Sequence, residues 1–207
     1  MSRRRQTRQS LKLGREFYTR SDTLLIAREL LGQRLVVPAA DGTRVSGLIV
    51  ETEAYMGPED KAAHSHNNRR TRRTETMYAP GGCAYVFFIY GMYYQFNVVA
   101  NVESIPHAVL IRALEPVEGI ELMRLRRPVK KEQSLTNGPG KLCQALGLDG
   151  SYNGEDLLGD RVWIEETGRR ATSAEIGSGP RIGINYAEEY VHKDWRYWLK
   201  GNAYVSR

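Results

Sequence analysis

The stretch from position 83 to 100 constrains the fold more than any other part of the chain. Residues 83–89 and 93–100 are dense in aromatic and β-branched side chains, and only Tyr90, Gly91 and Met92 separate them. Two strand-length runs joined by so short a connection must pair antiparallel, because a parallel pair needs a crossover of a dozen or more residues. Gly91 can supply the positive φ of a tight turn. The hairpin carries Tyr90, Met92 and Tyr93 at its tip, where large side chains either pack back into the core or stand in water.

Other segments extend this sheet. Residues 34–37 and 45–55 are β-branched runs joined through Ala40, Asp41 and Gly42, a second hairpin, and residues 107–113 read as a further strand. Ser21 and Asp22 offer caps to an apolar-periodic helix over 23–31, which Gly32 ends. Pro116 suits the start of a helix reaching about Arg127, and a second helical pattern at 141–146 follows Asn137, Gly138 and Pro139 and closes at Gly147. Short strands are expected at 161–165, 181–185 and 195–200. Positions 56–82 form a long irregular loop punctuated by glycine, proline and asparagine, and loops of that length in compact domains are usually functional. The pattern predicts one α/β mixed (α+β) domain over 12–207, with a mainly antiparallel curved β-sheet, flanking helices and a protruding β-hairpin.

Charge is distributed unevenly. The 207 residues carry a net +6, and residues 1–20 alone hold seven basic side chains against Glu16. The high pI therefore reflects a basic tail, read as disordered over 1–11, on a neutral body. Two interior clusters stand out: Lys61, Arg69, Arg70, Arg72 and Arg73, without an intervening acid, and Arg124, Arg126, Arg127, Lys130 and Lys131. Such clusters fit binding of a polyanion such as phosphate, and they equally fit solvated loops. No apolar run has a membrane-spanning length and no signal-peptide pattern follows the arginine-rich start, so a soluble, unexported protein is expected. Cys83 and Cys143 lack paired spacing and read as reduced core thiols.

The chemistry-bearing residues are few. Alternation puts Glu51, Glu53 and Tyr55 on one face of a strand, an unusual place for two carboxylates. In a cleft such a pair could provide a general base; on an edge strand the acids would simply face solvent and pair with arginines. His64 and His66 with Glu59 and Asp60 match no standard metal spacing, so no metal is expected. Glycine-rich phosphate loops and dinucleotide fingerprints are absent, which argues against ATP or nicotinamide chemistry and for no cofactor. An exposed aromatic tip beside basic loops is the arrangement by which duplex-intruding proteins unstack bases.

Taken in order, the segments ETEAYMGPEDKAAHS (51–65), Tyr90-Gly91-Met92-Tyr93 with Asn97, LIRALEP (110–116), Gly138-Pro139 with KLCQAL (141–146), Arg181-Ile182-Gly183-Ile184 and the stretch from Trp195 to Ser206 resemble the alkyladenine DNA glycosylase family, the mammalian-type 3-methyladenine DNA glycosylases. The resemblance runs from about residue 12 to the C-terminus. The short N-terminal extension is more like that of bacterial members.

That resemblance implies a monofunctional glycosylase acting on double-stranded DNA with damaged purines, among them 3-methyladenine, 7-methylguanine, hypoxanthine and ethenoadenine, by extruding the nucleotide and hydrolysing its N-glycosidic bond. It implies Glu53 as the general base on water and Arg112 as the arginine beside that water. It makes Tyr55 and His64 the sandwich around the extruded base, Asn97 the side chain that crowds the amino group of guanine, and Tyr90 the intercalating residue with Met92 and Tyr93 beside it. Arg69, Arg70, Arg72, Arg73 and Lys141 are expected on the DNA backbone. Phe87 stands where the mammalian pattern has a tyrosine, so a hydroxyl is lost at the pocket edge. Gly140 replaces a serine and Asp194 a proline, both peripheral to catalysis. No lysine falls in the pocket motifs, so a Schiff-base step is not expected. A monomer is expected, cytoplasmic with the nucleoid in a bacterium or nuclear in a eukaryote. The alternatives are a non-catalytic DNA or RNA binder of the same fold and a hydrolase of small molecules.

Overall fold

The computed structural model describes residues 11–206. Apart from Leu11, the expected basic tail lies outside the described residues. Eight strands form one antiparallel sheet: β1 (Arg34–Pro38), β2 (Arg44–Met56), β3 (Ala84–Ile89), β4 (Tyr93–Ala100), β5 (His107–Glu118), β6 (Trp163–Glu165), β7 (Ile176–Gly179) and β8 (Arg196–Leu199). The main order is β3-β4-β5-β2-β1-β6, with β8 also paired to β2 and β7 to β8. Four helices, α1 (Arg15–Tyr18), α2 (Thr23–Glu29), α3 (Ile120–Arg126) and α4 (Pro139–Leu146), complete the α+β fold.

The helices form where caps and apolar spacing agree. Asp22 caps α2 by accepting a hydrogen bond from the Leu25 amide at 2.8 Å, and the helix buries Thr23, Ile26 and Ala27 against the sheet. Pro139 opens α4 and Gly147 ends it at φ 77°. Leu142, Cys143, Ala145 and Leu146 of α4 join Phe96, Val98, Val109 and Ile111 of the sheet in one core. Full burial of each leucine, valine, isoleucine or phenylalanine among them contributes roughly 1.5–3 kcal/mol.

Strand β2 positions the site because it changes partners along its length. Its first half pairs with β1, and residues Glu51, Thr52 and Glu53 pair with Trp198, Tyr197 and Arg196 of β8. On its other edge the ladder to β5 is irregular around Glu51, a bulge that re-aims the side chains there. Glu51 and Glu53 therefore sit on a central strand, not on the solvent-facing edge that was the alternative.

Two sequence expectations are corrected. Pro116 does not start a helix: β5 continues through it to Glu118, opposite Gly47, at a shift in the ladder that tolerates a missing N–H. A Cβ at Gly47 would lie 2.9 Å from the Glu115 carbonyl oxygen, so only glycine permits this approach. Residues 181–185 are not a strand but an irregular segment, in which Ile184 is buried beside Ala187. The strand instead lies just before it, as β7, whose Gly177 and Gly179 pack beneath the Trp198 ring and carry no strand signal. The 56–82 segment is irregular as expected, apart from short 3-10 turns at His66–Asn68 and Glu75–Tyr78.

Candidate functional site

Glu53 is fully buried, and both its carboxylate oxygens are engaged. Oε1 accepts from the Ile182 amide at 2.8 Å and lies 3.2 Å from Arg112 Nη1. Oε2 accepts from the Tyr55 hydroxyl at 2.8 Å. A buried carboxylate is tolerable only with such donors and an adjacent cation. Arg112, on β5, also donates through Nε to Glu51 Oε1 at 3.3 Å, so the guanidinium lies between the two acids. The expected repulsion between the two strand carboxylates is thus answered by an arginine.

Tyr55 and Arg112 open onto a pocket also lined by His64, Tyr85, Phe87, Tyr90, Asn97, Ile182 and Tyr186. His64 Nδ1 lies 2.8 Å from the Tyr85 hydroxyl, and its ring meets Phe87 edge-on with centroids 4.6 Å apart. Burial and the nearby Arg73 and Arg69 lower its pKa to about 4, so the imidazole is neutral at physiological pH. Burial raises the Tyr85 hydroxyl to about 12, keeping it protonated. Asn97 is buried in the pocket wall and donates through Nδ2 to the Tyr85 carbonyl at 3.0 Å, which fixes the orientation of its amide. Phe87 forms part of the pocket wall beneath the Arg73 guanidinium, 5.0 Å away.

The hairpin tip stands in solvent. Tyr90 is 76% exposed and Met92 61%, so the alternative of packing into the core does not hold for them. Tyr90 has φ 54°, followed by Gly91 at 68°, a left-handed conformation uncommon for a bulky residue. Tyr93, the first residue of β4 beside the turn, is half-buried, and a Cβ on Gly140 would come within 2.9 Å of its ring. The absence of a side chain at Gly140 thus lets α4 close on the hairpin. Lys141, next to it, donates to Asn137 Oδ1 at 2.8 Å, and burial with the nearby Arg127 lowers its pKa.

Arg69, Arg70, Arg72 and Arg73 are all exposed, and a second concavity beside the pocket is lined by Arg69, Arg72 and Arg73 with Lys61, His66 and Tyr186. Arg70 is engaged by Glu75 at 2.6 Å and lies over the Tyr78 ring. Among the described residues no cluster of His, Cys, Asp and Glu could hold a metal ion: His66 Nδ1 faces the Pro58 carbonyl, and Asp60 is taken by Arg181.

Arg181 and Asp60 were not singled out as site residues from sequence. Arg181 donates to both Asp60 oxygens, at 2.5 and 2.8 Å, and to the Ala54 carbonyl at 2.9 Å, and its guanidinium lies 4.7 Å from the Tyr55 ring centroid. Asp60 also accepts from the Met56 and Ala62 amides. This buried pair ties the 56–66 loop to the segment whose next residue, Ile182, donates to Glu53. The only signal was an arginine and an aspartate, each in a short motif, with no indication that they meet.

The fold brings together an enclosed carboxylate, an aromatic-lined pocket and an exposed aromatic tip with arginines nearby. Comparison with known proteins supplies the class. The chain matches the family model for methylpurine-DNA glycosylase over residues 16–203. It is 52% identical to a protein of Desulfitobacterium hafniense over 203 residues, 94% of this chain and 98% of the other. It is 51% identical to proteins of Bacillus cytotoxicus, covering 90% and 95% of the two chains, and of Clostridium acetobutylicum, covering 95% and 98%. All three relatives bear provisional names as 3-methyladenine DNA glycosylases. The chain belongs to the methylpurine-DNA glycosylase family: it is a DNA glycosylase, a hydrolase of DNA repair, and the non-catalytic binder is set aside. No helix among the described residues is long and apolar enough to cross a membrane.

Proposed function

We propose that this glycosylase extrudes damaged purines from duplex DNA into the pocket beside Glu53 and hydrolyses the N-glycosidic bond with one water, leaving an abasic site. The observation that carries this reading is the contact of buried Glu53 with Tyr55 and Arg112, both of which line the pocket. Glu53 acts as general base and Arg112 orients the water beside it. The water oxygen bonds to the anomeric carbon, its proton passes to Glu53, and the base leaves with the electrons of the broken C–N bond. The Glu53 charge also stabilises positive charge developing on the sugar.

Tyr55 and neutral His64 stack on the two faces of the extruded base. A sandwich of uncharged rings suits electron-poor purines such as 3-methyladenine, 7-methylguanine, hypoxanthine and ethenoadenine. The Asn97 amide crowds the amino group that normal guanine carries. Tyr90 fills the vacated stack, with Met92 and Tyr93 supporting the wedge, while Arg69, Arg70, Arg72, Arg73 and Lys141 contact phosphates. The enzyme acts as a monomer on chromosomal DNA in the cytoplasm of a bacterial cell.

The test is incubation of the protein with end-labelled duplexes, each bearing one of these four lesions, followed by alkaline cleavage. Lesion-dependent strand scission is expected, with none at normal guanine. Scission equal at damaged and undamaged sites would contradict the reading. A Phe87→Tyr variant, which restores a hydroxyl at the pocket wall, is expected to change the ranking of lesions.

A further inference from the structure

Glu51 is as deeply buried as Glu53 and, like it, is held by three groups, but none of its three partners is Tyr55 or Ile182 of the pocket wall. Oε1 accepts from Arg112 Nε at 3.3 Å and from Arg196 Nη1 at 3.0 Å. Oε2 accepts from the Ser206 amide at 2.7 Å. Arg112 in turn approaches the Ser206 hydroxyl at 3.4 Å through Nη2. Removal of a carboxylate from such a place is costly, so the sequence keeps it there against a steep desolvation penalty.

The geometry explains what it does. A guanidinium has five N–H donors in one rigid plane, so fixing one edge fixes the direction of the others. Glu51 and Ser206 hold the Nε and Nη2 positions of Arg112, and the remaining nitrogen, Nη1, is thereby aimed at Glu53, 3.2 Å away. Arg196 satisfies the rest of Glu51 Oε1 from β8 and also donates to the Pro180 carbonyl at 2.9 Å, next to the segment that supplies the Ile182 amide. Two carboxylates and two guanidiniums make the cluster neutral, so Arg112 is shared between the acids and does not form an exclusive pair with Glu53.

We propose that Glu51 is a positioning residue for base excision: together with the Ser206 amide it sets the orientation of Arg112 at Glu53. The proposal rests on Glu53 and Arg112 acting on the water, as read above.

The test uses the full chain in single-turnover base release from a hypoxanthine or ethenoadenine duplex, with binding to the same duplex and the melting temperature measured alongside. Glu51→Gln is expected to slow release by about 10-fold or more, the scale of one misdirected catalytic contact, while duplex affinity stays within about 2-fold. Ser206→Pro removes both the amide that donates to Glu51 and the hydroxyl beside Arg112 Nη2, and is expected to slow release several-fold in the same way. In an Arg112→Met background neither change is expected to slow release further, because a residue that acts through Arg112 has nothing left to orient. A crystal structure of Glu51→Gln is expected to show the Arg112 guanidinium turned away from Glu53. Equal losses in the presence and absence of Arg112, or an Arg112 unmoved in the Glu51→Gln structure, would overturn the proposal. A Glu53→Gln variant as fast as wild type would instead overturn the reading of Glu53 and leave that distinction visible.

Discussion

Asp60 and Arg181, 121 residues apart, form an ion pair with no solvent exposure on either side chain, at 2.5 Å. The pair closes the 56–66 loop over the segment that delivers the Ile182 amide to Glu53, and it places a guanidinium behind Tyr55. Neutralising one partner leaves the other charge buried without compensation, so Asp60→Asn is expected to cost about 3 kcal/mol or more of unfolding free energy. Urea denaturation measures this directly. A variant within about 0.5 kcal/mol of wild type would mean that the pair does not hold the loop.

Tyr90 makes few contacts with the body of the protein and has a left-handed backbone, so Tyr90→Ser is expected to change stability by less than about 0.5 kcal/mol. Its effect should fall on duplex substrates. Release of hypoxanthine from a duplex is expected to drop about 10-fold or more, and release from the same single strand to change little, because only the duplex requires a gap to be filled. Equal losses on both substrates would remove Tyr90 from the role of wedge.

The neutral His64 predicts a pH dependence of stability. Its pKa in the folded protein, about 4, lies below the ordinary 6.5, so the unfolded chain binds the proton more readily between those values. Stability is therefore fully present above pH 6.5 and is lost as pH falls toward 4. Allowing for partial exposure of the ring, the loss is about 1–2 kcal/mol. His107, also lowered by burial, acts in the same direction. Denaturant titrations at pH 7.5 and 4.5 should show a smaller difference between the two pH values in His64→Gln than in wild type.

The arginine loop makes a prediction about salt. Arg69→Ala and Arg72→Ala are each expected to weaken binding to damaged and undamaged duplexes alike and to reduce the slope of log K against log salt by about 1. Arg70 is held by Glu75, so Arg70→Ala should do less. Affinity lost for one lesion only would place these residues in base recognition instead.

Much of this arrangement was legible in the sequence. The two hairpins and the capped helices follow from β-branched density, turn residues and caps, all of which act over a few positions. The family motifs point to Tyr55, His64, Asn97 and Arg112, which line one pocket, and to Glu53, which touches two of them. Local pattern failed where distant packing decides. Pro116 looks like a helix start because proline lacks an N–H, and only the irregular ladder beside Gly47 shows that the strand can spare it. Residues 181–185 alternate like a strand, yet Arg181 is drawn out of the sheet by Asp60. β7 carries no β signal in the sequence because the glycines that admit Trp198 erase it.

The most direct test of the site is the rate of base release by Glu53→Gln. The glutamine keeps the shape of the side chain, and with its oxygen toward Ile182 it still accepts from that amide while its NH2 group meets the Tyr55 oxygen as a donor, but it cannot take a proton from water. Single-turnover excision from a hypoxanthine duplex is expected to fall about 100-fold or more while duplex affinity is retained. Excision at the wild-type rate by Glu53→Gln would contradict water activation by Glu53.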